Sequence, residues 1–240
     1  MLDFTNQTSA RAQSQAKTHT YDEGLRNYMQ KVFNNMGIAL GITGLISFVT
    51  ANSPALLNAI FGTPLKWVVM FAPLIFIFFL SARISKVSAA KARTYLWVFA
   101  GLMGLSLAPI FLAYTGASIA RAFFVTSSLF LAMSLYGYTT KKDLTSMGSF
   151  MFMGLIGLII ASLVNLFLQS SALQFALSIL TVIIFTGLTA YDTQRIKSIY
   201  YQFAGNAEAI SKAATMGALT LYMDFINMFL AILRLFGDRR

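Results

Sequence analysis

Long stretches without Asp, Glu, Lys or Arg divide this chain: 32–65, 67–82, 94–120, 122–140 and 144–191. A helix needs about 20 mostly apolar residues to cross a bilayer. Each stretch therefore predicts one spanning helix, except 144–191, which predicts two separated by the polar run Gln169-Ser170-Ser171. The carboxyl-terminal segment from about Ala213 to Phe236 is apolar apart from Asp224, Asn227 and Arg234, and adds a seventh. The pattern places helices near 32–51, 66–82, 94–114, 119–138, 147–168, 173–195 and 214–236. Asp224 and Asn227, three residues apart, share one face of the last helix. Such a face is costly to turn toward lipid. The expected fold is an all-α integral membrane protein of seven transmembrane helices, six surrounding a central C-terminal helix, behind a cytoplasmic tail over 1–31 that is disordered to about residue 20.

Composition agrees with the pattern. At 57% hydrophobic and 11% charged, the chain is far from soluble domains, which are about a quarter charged. Basic residues orient it. With the amino terminus cytoplasmic, inside segments hold thirteen Lys and Arg and outside segments five, namely Lys66, Arg121, Arg234, Arg239 and Arg240. The carboxyl terminus is then outside. This topology accounts for the net charge of +10, and without a basic cluster interleaved with aromatics there is no sign of nucleic-acid binding. Cysteine is absent, so disulfides are excluded. The polar first 31 residues contain no short apolar core, so no cleaved signal peptide is expected.

Gly37, Gly41 and Gly44 have the spacing that lets a second helix approach the first closely, and packing is their expected role. Pro73 and Pro109 fall within predicted helices two and three, where a missing amide hydrogen kinks the chain. Methionine and phenylalanine are scattered through all spans, as lipid-facing and interhelical filler.

Catalysis is not expected. Every lysine lies at a helix end or in a connection, against a retinal protein; the single histidine, His19, lies in the tail. A zinc site prefers His and Cys. Of the eight acids, only Asp192, in GLTAYDTQRIK, and Asp224, in GALTLYMDFINMFLAILRLFG, fall within apolar stretches. Carboxylates at such depth are usually functional. With Asn227 and hydroxyls such as Thr189, Tyr191, Thr220 and Tyr222, they offer oxygen chemistry suited to a hard cation such as Ca2+. Two carboxylates close together in low dielectric cannot both ionise cheaply, so the pair is expected to share a proton and titrate as a unit. Their depths do not match at first sight. Entry near Gly217 puts Asp224 about 11 Å deep, whereas entry near Phe175 leaves Asp192 about 5 Å from the inner face of a ~30 Å core. The competing role for Asp192 is to neutralise Arg195 and Lys197 at the interface. Arg234 reads as an interfacial anchor, and Arg83 either as an inner anchor or as a cation that reaches the pair.

Three motifs, MSLYGYTTKKDL (133–144), GLTAYDTQRIK (187–197) and GALTLYMDFINMFLAILRLFG (217–237), carry a resemblance to the Bax inhibitor-1 family, in its bacterial branch, from about residue 25 to the end. The resemblance implies a seven-helix bundle with six helices around the last. It also implies a cation leak, chiefly of Ca2+, controlled by pH through an aspartate pair on helices six and seven, which Asp192 and Asp224 match. Family members bring an arginine from the end of helix two to the pair, which Arg83 could supply. They also pair a helix-two carboxylate with an arginine late in helix seven; Arg234 matches the arginine, but 66–82 contain no acid, so that outer latch is absent. Regulatory roles are implied too, in protection from death signals or in contact with membrane proteases.

The leading expectation is a pH-sensitive calcium leak channel of the inner membrane, with Ca2+ and protons as its ligands and no cofactor. The alternative is a regulatory protein without transport, which meets a membrane protease or stress-response partner through its amino-terminal tail. A proton-coupled exchanger is the third reading.

Overall fold

The computed structural model describes residues 3–83 and 86–240. Its elements in chain order are α1 (Asp3–Ala51), α2 (Pro54–Phe61), α3 (Leu65–Arg83), α4 (Ala89–Leu107), α5 (Ile110–Ala113), α6 (Gly116–Thr139), α7 (Thr145–Leu168), α8 (Ser171–Gln202) and α9 (Ala207–Phe236). Among the described residues six helices are long and apolar enough to cross a membrane; α3, the expected second span, is not one of them alone and makes a seventh only if α2 and α3, bent by 82° at the break between them, count as one. The loose tail expected to about residue 20 falls on residues whose side chains lie outside those described. From Glu23 on, however, the first helix is already part of the bundle: Leu25, Tyr28 and Met29 are buried. It begins before the expected residue 32 because apolar side chains at 25, 28, 29, 32 and 36 continue one helical face.

The other boundaries follow local chemistry. The Ser53 hydroxyl caps α2 at the Leu56 amide, with Pro54 at the first helical position and Gly62 at the end; this short helix was not expected. Pro109 does more than kink: it splits predicted helix three into α4 and α5. Pro73 lies within a continuous α3. The break at Gln169-Ser170-Ser171 is as expected. Gln169 turns α7 off in the left-handed region at φ 49°, the Asn165 side chain accepts from the Ser170 amide at 3.0 Å, and the Ser170 hydroxyl starts α8 by accepting from Leu173.

α9 is the most buried of the six spans. Two thirds (67%) of its apolar window is buried, against 11% for α7. It packs on α1, α4, α6 and α8, while α3 lies behind α4 and α7 behind α8. Ala214, Gly217, Ala218, Leu221, Tyr222, Phe225 and Met228 are buried, while Met216, Thr220, Met223, Asn227 and Leu230 form a half-buried face. Close approach is made by glycines on the partners. A Cβ on Gly137 of α6 would strike the Ala190 carbonyl of α8, and one on Gly104 of α4 would lie 2.8 Å from the Thr43 carbonyl of α1. The stripe Gly37, Gly41 and Gly44 on α1 does not have the packing role expected of it. Cβ atoms there would meet nothing within 4 Å, because α4 supplies the small residues where it meets α1 and the stripe faces away.

Candidate functional site

Asp192 on α8 and Asp224 on α9 face each other within hydrogen-bonding reach. Both are buried, at 8% and 4% exposure. The register of the antiparallel helices brings them together. Toward one end Gly217 packs against Ile196; toward the other the Thr186 hydroxyl lies 4.0 Å from the Met228 sulfur. Between these crossings, 192 and 224 meet on the inner faces. The mismatch in depth disappears because the helices overrun the expected boundaries: α8 continues to Gln202 and α9 begins at Ala207.

The two acids are not equivalent. Arg195, one turn along α8, acts electrostatically on Asp192. Asp224 has Asp192 as its charged neighbour, and its Oδ2 is buried with no hydrogen-bond partner. An orphaned carboxyl oxygen in the interior calls for a proton, a water or a cation. Among the described residues no group of three or more His, Cys, Asp or Glu forms. Resident Ca2+ takes roughly six to eight oxygens, more than two carboxylates supply.

The remaining candidates have contacts of their own. The Thr189 hydroxyl donates to the Phe185 carbonyl at 2.7 Å and that of Thr220 to the Met216 carbonyl at 3.2 Å. The Tyr191 ring packs over Gly148 of α7, and Tyr222 bonds to Thr43 at 2.7 Å. The Asn227 amide donates to the Met223 carbonyl of its own helix at 2.8 Å. The Arg83 guanidinium lies over the Phe79 ring, 5.5 Å from its centroid, and is exposed. Arg234 is exposed near the far end of α9.

Two clasps were not legible in the sequence. On the side of Asp192 nearer the α8 terminus, Gln194 accepts from the Leu144 amide at 2.9 Å and donates to the Lys142 carbonyl at 2.7 Å. Lys197 donates to the Tyr138 carbonyl at 2.9 Å. The connection between α6 and α7 is thereby strapped to α8. Within it, hydrogen bonds from the Thr145 hydroxyl and amide hold the exposed Asp143 carboxyl below its usual value. At the opposite end of the bundle, the chain after α9 folds over the start of α6. Asp238 accepts from the Ser118 hydroxyl at 3.0 Å, its amide donates to that same hydroxyl at 2.9 Å, and Arg121 lies 4.0 Å from its carboxylate. Each clasp joins a side chain to a distant backbone group, which no local pattern announces.

A bundle of bilayer-spanning helices with an ionisable pair in its core is a polytopic membrane protein. The chain belongs to the Bax inhibitor-1 family: the family described as "Inhibitor of apoptosis-promoting Bax1" matches residues 25–240. The chain is 45% identical over 219 residues to the inner membrane protein YbhL of Escherichia coli (strain K12), covering 90% of this chain and 94% of that one. It is 50% identical over 240 residues to an uncharacterized protein of Rickettsia prowazekii (strain Madrid E), over the whole of both chains. A protein of Borreliella burgdorferi is 41% identical over 214 residues, covering 89% of this chain and 92% of that one.

Proposed function

We propose that this protein is a pH-sensitive cation leak channel, with Ca2+ as the principal permeant ion, in the inner membrane. Its gate is the proton shared by Asp192 and Asp224. The observation that carries the reading is the meeting of two buried carboxyl groups across α8 and α9, one with an oxygen left unpartnered. While the pair holds a proton, a hydrogen bond joins the helices. When the proton leaves, two like charges remain in low dielectric, and they separate or take a cation. The two arrangements bind protons unequally, so pH shifts their populations. Arg195, beside Asp192, partly offsets the charge on the α8 side. In this reading α2 and α3 count as one broken span, seven spans place six around α9, the amino terminus is cytoplasmic and the carboxyl terminus outside. The thirteen-to-five split of basic residues supports that orientation.

The test is Ca2+ flux into liposomes holding the purified protein, between about pH 6 and pH 8, for the wild type and the Asp192→Asn/Asp224→Asn variant. The expected result is a pH-dependent flux whose dependence the variant loses. Flux no greater than that of empty liposomes at every pH would overturn the channel reading and favour a regulatory membrane protein without transport; saturable counterflow would identify an exchanger.

A further inference from the structure

At the end of the bundle where α1 stops and α6 starts, a cleft of about 420 Å³ opens between α1, α5, α6 and α9. Its volume is in the range of small-ligand sites, roughly 300–1,000 Å³. The sequence explains why it exists. Pro109 separates α4 from the short α5, and the two together still run as one span, Ala89–Ala113. Gly44 and Gly116 line the cleft without side chains, and a Cβ on either would meet nothing within 4 Å. Its walls are apolar, with Leu40, Phe111, Ile119 and Phe229 among them. Thr43 and Ser47 also line it, but both hydroxyls are already bonded within the bundle.

Two observations identify the occupant. First, the mouth continues into the lipid-facing belt: Phe48, Phe123 and Phe124 line the cleft and are 54%, 43% and 68% exposed. At this depth the bilayer interior is the solvent, and it consists of acyl chains. Second, this end carries Arg121, Arg234, Arg239 and Arg240 against the single acid Asp238. The Arg121 side chain is 63% exposed, and the Arg239 guanidinium lies 6.0 Å from the centroid of the Tyr114 ring. Guanidinium groups match phosphate geometry, and basic clusters beside spanning helices bind anionic headgroups.

We infer that this cleft holds an acyl chain of an anionic bilayer phospholipid, with its headgroup phosphate drawn to the arginines around the carboxyl terminus. The site stands apart from the aspartate pair and does not depend on ion flux. Its floor is nonetheless α9, where Phe225 and Ile226 directly follow Asp224, so an occupying chain presses on the helix that carries the acid.

The test uses full-length protein in vesicles of phosphatidylcholine containing phosphatidylglycerol with a photoreactive group on its acyl chain, followed by peptide mapping. Adducts are expected to concentrate on 40–48, 107–123 and 225–229, and unlabelled phosphatidylglycerol should compete better than added phosphatidylcholine. Gly44→Leu, whose side chain would enter open space, should fold normally and lose these adducts. Arg121→Gln with Arg239→Gln should keep them but lose the headgroup preference. Labelling spread evenly over outward faces such as that of α7, or unchanged in Gly44→Leu, would overturn the site. Equal competition by the two lipids would overturn the anionic assignment, and photo-crosslinks between two copies at these segments would assign the cleft to self-association instead.

Discussion

The Thr43 and Tyr222 hydroxyls meet at 2.7 Å inside the core, tying α1 to α9 two residues before Asp224. Thr43 has one hydroxyl proton, which goes to the Ala39 carbonyl at 3.0 Å or to the Ala100 carbonyl at 2.9 Å. Tyr222 is therefore the donor to Thr43. Tyr222→Phe should cost about 1 kcal/mol, a fall in Tm of about 2–4 °C for a chain of this size, measured by thermal unfolding in detergent. An unchanged Tm would mean that the bond adds nothing to the tie between α1 and α9.

Gly137 allows α6 to touch the backbone of α8 at Ala190, two residues from Asp192. Gly137→Leu forces a side chain into that contact and should destabilise by about 1–3 kcal/mol or more. Gly157→Leu on α7, where a Cβ meets nothing within 4 Å, should be tolerated. Comparing the two variants by unfolding in detergent separates a packing effect from a general effect of enlarging glycine in a membrane helix.

Asp143 gives the pH dependence outside the membrane. Its folded-state carboxyl is held below the ordinary aspartate value by the Thr145 hydroxyl and amide. A depressed folded value stabilises above the unfolded value, and that contribution is lost as pH falls through the folded one. Wild-type stability should therefore fall below about pH 4 more steeply than that of Asp143→Asn, which gives up the contribution at neutral pH. Parallel profiles in unfolding experiments would show that these bonds do not distinguish the charged carboxylate.

Gln194 straps the connection between α6 and α7 through Lys142 and Leu144. Gln194→Ala removes both bonds and should free Lys141 and Lys142 for trypsin. The variant should be cut there faster than wild type in limited proteolysis, with the transmembrane segments still protected. Equal rates would show that Lys197, on the Tyr138 carbonyl, holds the connection by itself.

Most of the helical layout was legible because hydrophobic length is a strong signal. The turn at Gln169-Ser170-Ser171 could be located to the residue, and the acid and amide of the last span pointed to its higher burial. The misses have physical causes. α2 is eight residues long, too short for a length-based reading, although Ser53-Pro54 is a cap signal. The early start of the bundle near Leu25 was obscured by the polar composition around it. Gly37, Gly41 and Gly44 have the spacing of a packing stripe, but only the path of α4 decides which face is covered. At the site, the chemistry of Asp192 and Asp224 could be read directly, whereas their meeting depended on where α8 and α9 end. Arg83 illustrates the remaining gap: its sequence position does not say what its guanidinium meets, which in the structure includes the ring of Phe79.

The most direct test of the shared proton is the pH profile of Ca2+ flux in Asp192→Asn and Asp224→Asn singly, set beside the double variant. Two groups acting as one site should be strongly non-additive, so either single substitution should remove the pH dependence as fully as both together. A single variant that keeps the wild-type profile, or two partial losses that add up to the double, would contradict the account.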